Sequence, residues 1–423
     1  MTSGPNDAAP SQVTVVGAGI IGVSCALALQ RAGFQVTVVD RQGPGEACSY
    51  GNCGGIAPTE FMPLSQPGYL LKVPGWLLDP TGPLAVKWSY MPRLAPWLLQ
   101  FLAAGRRARV RAIATAAIAL CKSTWDDHQP LLAAAGIADI VQPDECLSLY
   151  DTDADLRADR PRLDFCAEHG LAVETIDGRT LCELEPDLAP DFAWGVINHG
   201  WHHVSDPFRV VTALADLFVA RGGRLQQSEV ARIETSGGGA ARLHLRGGES
   251  LPVQTLVIAA GAWSHQLARQ LGDRIPLESD RGYHTTIPDP GVNPKRQIVH
   301  GAQGLAITPL AMGLRIGGSV ELAGLETPPN YSRARAQVKR AKRVYPGLTN
   351  EEGSRWMGHR PSLPDSLPVI GRAPGAANVY YAFGHGHLGL TLGPTTGRLI
   401  AELMSGTTPT IDMSPYRAER FGS

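Results

Sequence analysis

The sequence predicts an α/β fold in which a parallel-sheet domain is interleaved with an α+β domain containing an antiparallel sheet. Three observations carry this expectation. An apolar run at 13–16 breaks into Gly17-Ala18-Gly19-Ile20-Ile21-Gly22, a helical stretch continues to Gly33, and a second apolar run at 36–39 ends in Asp40. Residues 256–261, LVIAAG, form a continuous apolar run of the buried-strand type. Residues 276–325 instead alternate in short β segments, at 282–287, 304–309 and 313–320, as an antiparallel sheet does.

The first stretch reads as strand, glycine turn, helix, strand, acid. Gly17 lets the chain turn tightly, Gly19 lets the backbone approach a pyrophosphate, and Gly22 lets the helix pack closely on the strand. The helix start at Ile20 and Ile21 would aim unpaired N–H groups and the positive end of its dipole at phosphates. Asp40 stands where a carboxylate accepts hydrogen bonds from a ribose, and Arg41 opens the loop that follows. This is a Rossmann-type dinucleotide site, with nicotinamide and flavin dinucleotides both open at this point.

At 423 residues the chain exceeds one ordinary core, so two domains or one large interleaved body is expected. A net charge of −1 argues against nucleic acid as a partner. The 7 cysteines form no C-x-x-C pair, which points to free thiols in a reducing compartment and to no metal site. Residues 1–11 are polar and lack the apolar region of a secretory signal. No apolar run reaches the roughly 18 residues of a membrane span. The expected location is cytoplasmic.

After Asp40, the stretch 48–56 carries three glycines among small polar residues, suited to close approach by a ligand. Residues 68–137 concentrate Trp76, Trp88, Trp97 and Trp125, proline breaks at Pro74, Pro80, Pro83, Pro92 and Pro96, and Arg106, Arg107, Arg109 and Arg111. The favoured reading is a helical layer with a solvated basic face. The alternative is a peripheral contact with the inner face of a membrane. Helices are expected over 155–169, from 180 to the break at Pro186, and over 208–220, the last with Asp206 as N-cap and Pro207 at its first position. Strands are expected at 193–201, 224–234 and 241–245, the last two joined by Gly237-Gly238-Gly239. Residues 333–344 read as a basic surface helix, and 384–404 as a glycine turn running into a helix.

Five stretches in this order resemble the FAD-dependent D-amino acid dehydrogenase group, within the superfamily of D-amino acid oxidase, glycine oxidase and sarcosine oxidase. They are VVGAGIIG with Asp40, CSYGNCGG at 48–55, VIAAGAWS at 257–264, HRPSLPDSLPVIG at 359–371 and GHGHLGLTLGPTTG at 384–397. The resemblance spans residues 12–405. It implies an FAD-binding domain made of 12–60, 206–267 and 356–405, and a substrate-binding domain made of 61–205 and 268–355, with tails at 1–11 and 406–423.

It also implies roles. Ser49, Asn52, Gly54 and Gly55 would lie along the flavin and pyrophosphate. Val230 would contact the adenine side, and Ala260-Gly261 would pass close to the dinucleotide. The turn Gly386-His387-Leu388-Gly389, with Leu390 and Thr391, would bring N–H groups to the N1–C2 carbonyl edge of the flavin. A helix N-terminus there suits the negative charge of reduced flavin. Arg360 matches the arginine that pairs a substrate carboxylate, which a guanidinium fork fits bidentately. Tyr283 would cover the pocket or bond the carboxylate, and His284 and His359 are weaker substrate contacts. The last cysteine is Cys182, so the cysteinyl flavin link that some relatives make near the C-terminus has no residue here, and noncovalent FAD is expected.

The implied reaction is oxidation of a small D-amino or cyclic D-imino acid, with hydride passing from the α carbon to flavin N5. Arg281-Gly282-Tyr283-His284 resembles members acting on D-proline or cis-4-hydroxy-D-proline. General D-amino acid dehydrogenation feeding a quinone pool, and the flavoprotein subunit of a multi-subunit amine dehydrogenase, are the alternatives. The electron acceptor would be quinone, dye or oxygen.

Overall fold

The protein is described by a computed structural model covering residues 11–67, 84–142 and 145–422, with Gly75, Asp79 and Gly82. The sequence features at 1–10, 74, 76, 80 and 83 lie outside the described residues.

The expected strand–helix–strand unit is present as β1 (Gln12–Val16), α1 (Ile20–Arg31) and β2 (Gln35–Asp40). It belongs to a 6-stranded sheet ordered Arg224–Gln227, β2, β1, Thr255–Ile258, Val379–Phe383, Val369–Arg372. All pairings are parallel except the last. Val15, Val38 and Val257 are buried in its core. Each such side chain contributes roughly 1.5–3 kcal/mol by leaving water.

The second layer is a 9-stranded sheet. Its three long strands are β3 (Glu278–Ile287), β4 (Gly313–Leu322) and β5 (Ser354–Ser362), with β3 antiparallel to both of the others. Every residue of β3 is buried. The antiparallel segments expected between 276 and 325 are therefore found, extended at both ends.

The chain closes with α2 (Gly389–Met404), which crosses α1. A Cβ on Gly397 would lie 2.5 Å from Ser24 O. Backbone approach at that distance requires glycine, and it locks the C-terminal helix to the first helix of the fold.

Several expectations need correction. Residues 224–234 form not one strand but two, Arg224–Gln227 and Val230–Ser236, in different sheets. The parallel strand ends level with Asp40, where Ser228 N–H donates to Asp40 O at 2.7 Å and the chain turns away. The helix Ser332–Val344 is not a wholly surface element. Ala334, Val338, Ala341 and Val344 are buried, while Arg335, Lys339 and Arg343 stay outside. A boundary at 356 cuts through β5, whose pairing with β3 puts residues up to Ser362 in the antiparallel sheet. Residues 406–423 are not a loose tail: the Tyr416 hydroxyl donates to Ala116 O at 2.6 Å, and Arg420 pairs with Asp365 at 2.7 Å.

The segment after residue 84 is helical as expected, with Met91–Ala104, Arg107–Cys121 and Thr124–Ala134. The helices Asp153–Glu168, Gly178–Leu184 and Pro207–Ala220 also form, the last capped by Asp206 Oδ1 on two N–H groups. All seven cysteines are free thiols.

Candidate active site

A cleft of about 530 Å³ lies between the two sheets and reaches both the glycine turn after β1 and the faces of β3 and β5. Of the positions the sequence nominated, Gly17, Gly19, Ile20, Ile21, Asp40 and Arg41 line its nucleotide end. Ser49, Asn52 and Gly55 also line it, as do Val230, Ala260 and Gly261. Gly386 through Thr391, including His387, Leu388, Gly389 and Leu390, line it from the start of α2. Gly22 is inside the fold, where a Cβ would lie 1.8 Å from Gly17 O, so it serves the packing of α1 on β1. Gly54 is a correction: at φ +81° it faces Val204 O, and it does not line the cleft.

Backbone geometry makes the nucleotide end. Gly17 sits at φ +117°, and a Cβ there would meet Ala259 O at 2.2 Å. Asp40 fixes the turn: Oδ2 accepts from Ala18 N at 2.6 Å and Oδ1 from Gln42 N at 2.9 Å. Each carboxylate oxygen keeps a second lone pair for a ribose hydroxyl. Ser49 Oγ accepts from Ile20 N at 3.1 Å, which sets its hydroxyl over the N-terminus of α1. Asn52 Oδ1 is turned back onto Gly54 N at 2.7 Å, which shapes its own loop. Gly261 and Gly386, at φ +54° and +55°, have open space where a Cβ would stand. A long cradle of backbone N–H groups and missing side chains fits an extended dinucleotide such as FAD.

The start of α2 is held from two sides. Gly386 N–H donates to Pro361 O at 2.8 Å. Thr391 Oγ1 accepts from Ala57 N at 3.1 Å and donates to Gly55 O at 3.3 Å. The first N–H groups of α2, at the cleft, have no intrahelical acceptor.

The far wall comes from β3 and β5 in register, with Asp280 opposite Arg360, Gly282 opposite Gly358 and His284 opposite Trp356. Glycines leave room for large neighbours to lie flat. A Cβ on Gly282 would come within 2.3 Å of Arg360 Nη2, and one on Gly358 within 1.9 Å of the Trp356 ring. Arg360 Nη1 donates to Asp280 Oδ1 at 3.1 Å and to Ser319 O at 3.3 Å. Its Nη2 and Nε have no partner among the described residues.

His284 stacks on Trp356 at 5.1 Å and meets Gly51 O at 3.2 Å. Burial, then Arg315, pushes its pKa down to about 3. His359 meets Ser279 Oγ at 2.8 Å and stands edge-on to Trp263; burial, then Arg281, holds its pKa at about 4. His387 is exposed to the cleft but crowded by protein, and burial, then Arg360, brings it to about 4. The three imidazoles are neutral near pH 7.

Tyr283 lines the cleft, but its hydroxyl is engaged elsewhere. Alternation along β3 gives one face to Asp280, Gly282 and His284 and the other to Arg281 and Tyr283. The Tyr283 hydroxyl therefore donates to Glu321 and accepts from Asn330 N at 3.0 Å, on the side away from Arg360. Sequence reasoning missed Asp280, Trp356 and the stacking of Arg41 on Trp263 at 3.8 Å. The period of two along β3 carried a signal for Asp280 alone, because it shares a face with Gly282.

Comparisons with known proteins show the family and the fold. A model of the FAD-dependent oxidoreductase family matches residues 12–403. The chain is 37% identical to the D-amino-acid oxidase of Bradyrhizobium diazoefficiens, over 97% of this chain and 98% of that protein. It is 30% identical to D-amino acid dehydrogenase 1 of Mesorhizobium japonicum, over 97% and 99%. Among solved structures, the L-proline dehydrogenase of P. horikoshii superposes with a TM-score of 0.77 at 20% identity, covering 97% of this chain and 98% of that one. The glycine oxidase of Geobacillus kaustophilus superposes at 0.73 and 21%, covering 97% and 99%. These two likenesses show the fold. By the match across nearly its whole length, the chain belongs to the FAD-dependent oxidoreductase family, and its cofactor is FAD.

Proposed function

We propose that the protein oxidises small D-amino acids or cyclic D-imino acids, with D-proline and cis-4-hydroxy-D-proline as the favoured substrates. The observation that carries this reading is the Arg360 guanidinium. It lies over Gly282 in a buried cleft, with one edge held by Asp280 and Ser319 and the other edge unpartnered. A free guanidinium edge accepts a carboxylate through two parallel hydrogen bonds.

The D configuration is taken from the relatives named above. A compact ring suits a wall built from Trp356 and His284 over glycine gaps. Neutral His284 and His387 add no competing cation beside Arg360. When bound, FAD supplies the two-electron acceptor. The residues 17–22, Asp40 and Ser49 would hold its ADP half, and the start of α2 would face the ring with N–H groups that favour negative charge. Anaerobic mixing with D-proline, hydroxy-D-proline and D-alanine tests the reading: flavin bleaching is expected, and none with any D-amino or D-imino acid would overturn it.

A peripheral membrane contact, with quinone as acceptor, is the second part of the proposal. Between residues 80 and 123 the chain carries seven lysines and arginines, from Lys87 to Lys122, and no acid. Trp88, Leu99 and Leu102 in this stretch are 70%, 68% and 39% exposed. No helix among the described residues is long and apolar enough to cross a membrane. Apolar side chains among arginines fit the surface of an anionic bilayer. Co-sedimentation with anionic but not neutral vesicles is the expected result.

A further inference from the structure

We propose that Asp280 is a catalytic residue that takes the ammonium group of the substrate and accepts its proton, so that the amine is neutral when oxidised. This rests on the reading that the cleft oxidises amino acids. Asp280 is 5% exposed, lines the cleft, and faces Arg360 across the β3–β5 pair. One carboxylate oxygen holds Arg360 Nη1, while Oδ2 has no partner among the described residues. The unpartnered atoms of the pair are thus a cationic edge, Nη2 and Nε of Arg360, and an anionic atom, Oδ2 of Asp280. A zwitterionic amino acid presents the complementary set, a carboxylate and an ammonium one carbon apart.

A cation placed against Oδ2 also offsets the cost of burying that carboxylate. In the step itself, one N–H bond of the ammonium breaks and its electron pair stays on nitrogen as the lone pair. The proton forms an O–H bond on Asp280. Charge is conserved, and no reactant beyond substrate and carboxylate is consumed.

The groups around this carboxylate set its readiness to accept a proton. Arg360 reaches it from β5, His387 from the turn before α2, and Cys48 from the loop after β2. Glu278 and His284 share its strand face, but Glu278 is tied to the Tyr90 hydroxyl at 3.0 Å. Burial raises the pKa of Asp280, against the lowering pull of Arg360. A carboxylate so placed is a better proton acceptor than an exposed one.

The test is the pH dependence of flavin reduction in the FAD-loaded wild type, Asp280→Asn and Asp280→Glu, beside the affinity for cyclopentanecarboxylate, a ring carboxylate with no nitrogen. The Asn variant should lose most of its kcat/KM at pH 7. Its kcat/KM should climb about tenfold per pH unit towards the amine pKa, as the free-amine fraction does. The wild type should be flatter, and the Glu variant should recover part of the neutral activity. Cyclopentanecarboxylate, read from the flavin spectrum, should bind the Asn variant as tightly as the wild type or tighter. A variant profile parallel to the wild type, or equal loss of amino-acid and cyclopentanecarboxylate binding, would overturn the assignment. Failure of the wild type to bleach with any D-amino or D-imino acid would overturn the proposed function and this assignment together.

Discussion

The guanidinium of Arg360 lies on the open backbone of Gly282, close enough that a Cβ at 282 would come within 2.3 Å of Nη2. The glycine is what allows the arginine to lie flat across β3 and present its free edge to the cleft. In Gly282→Ala the methyl group would push the guanidinium away, with the fold kept. KM for the amino acid should rise at least about tenfold, the cost of disturbing one charge-assisted hydrogen bond. Steady-state kinetics beside a melting curve checks this; an unchanged KM would show that the position of the guanidinium is unimportant.

Thr391 joins the start of α2 to residues 55–57 through both hydrogen bonds of its hydroxyl. Thr391→Val keeps the volume and strands the buried Ala57 N–H. An unsatisfied buried donor costs about 1–3 kcal/mol. The variant should melt earlier and release FAD more readily, as measured by fluorescence of free flavin during dialysis.

Gly397→Leu tests the crossing of α2 on α1. Helix propensity favours leucine by up to about 1 kcal/mol, but its Cβ would stand 2.5 Å from Ser24 O, a backbone atom with no room to yield. Overpacking at about 1–3 kcal/mol or more should win. A lower thermal midpoint is expected, and a higher one would contradict the described contact.

His284 and His359 make stability depend on pH. Their folded pKa values, about 3 and about 4, lie below the ordinary value of 6.5. The unfolded chain therefore binds protons first as pH falls. Stability from these sites is whole above about pH 6.5 and is lost on acidification towards their folded pKa values. The melting temperature should fall between pH 7 and pH 4, and less steeply in His284→Gln. An identical slope in the variant would remove His284 from this role.

Much of the nucleotide half was legible in the sequence because its constraints are local. Gly17, Gly19 and Gly22 answer to one turn and one helix, and Asp40 to the end of one strand. The antiparallel strands were legible from their period of two. What was hidden depends on register. Tyr283 and Asp280 lie three residues apart and both line the cleft, yet only knowledge of the strand faces tells that the Tyr283 hydroxyl turns to Glu321 while Asp280 meets Arg360. The boundary at 356 failed for the same reason: β5 pairs with β3 about 80 positions away, and no local pattern announces that pairing. Trp356 stacks on His284 through it. The helix 332–344 was read by its charges, but only some of them, such as Arg335, Lys339 and Arg343, are on its outer face, while Arg333 is buried with the apolar residues.

The central claim, that Arg360 holds the carboxylate of a D-amino or D-imino acid for oxidation, is tested most directly by anaerobic flavin reduction in the wild type and Arg360→Ala. With D-proline the wild type should bleach, and with L-proline it should not. Arg360→Ala should keep its FAD but need at least about a hundredfold more substrate for half-maximal reduction, as expected for loss of a bidentate charged pair worth about 3 kcal/mol or more. An Arg360→Ala enzyme that bleaches at the wild-type substrate concentration, or a wild type that no D-amino or D-imino acid reduces, would contradict it.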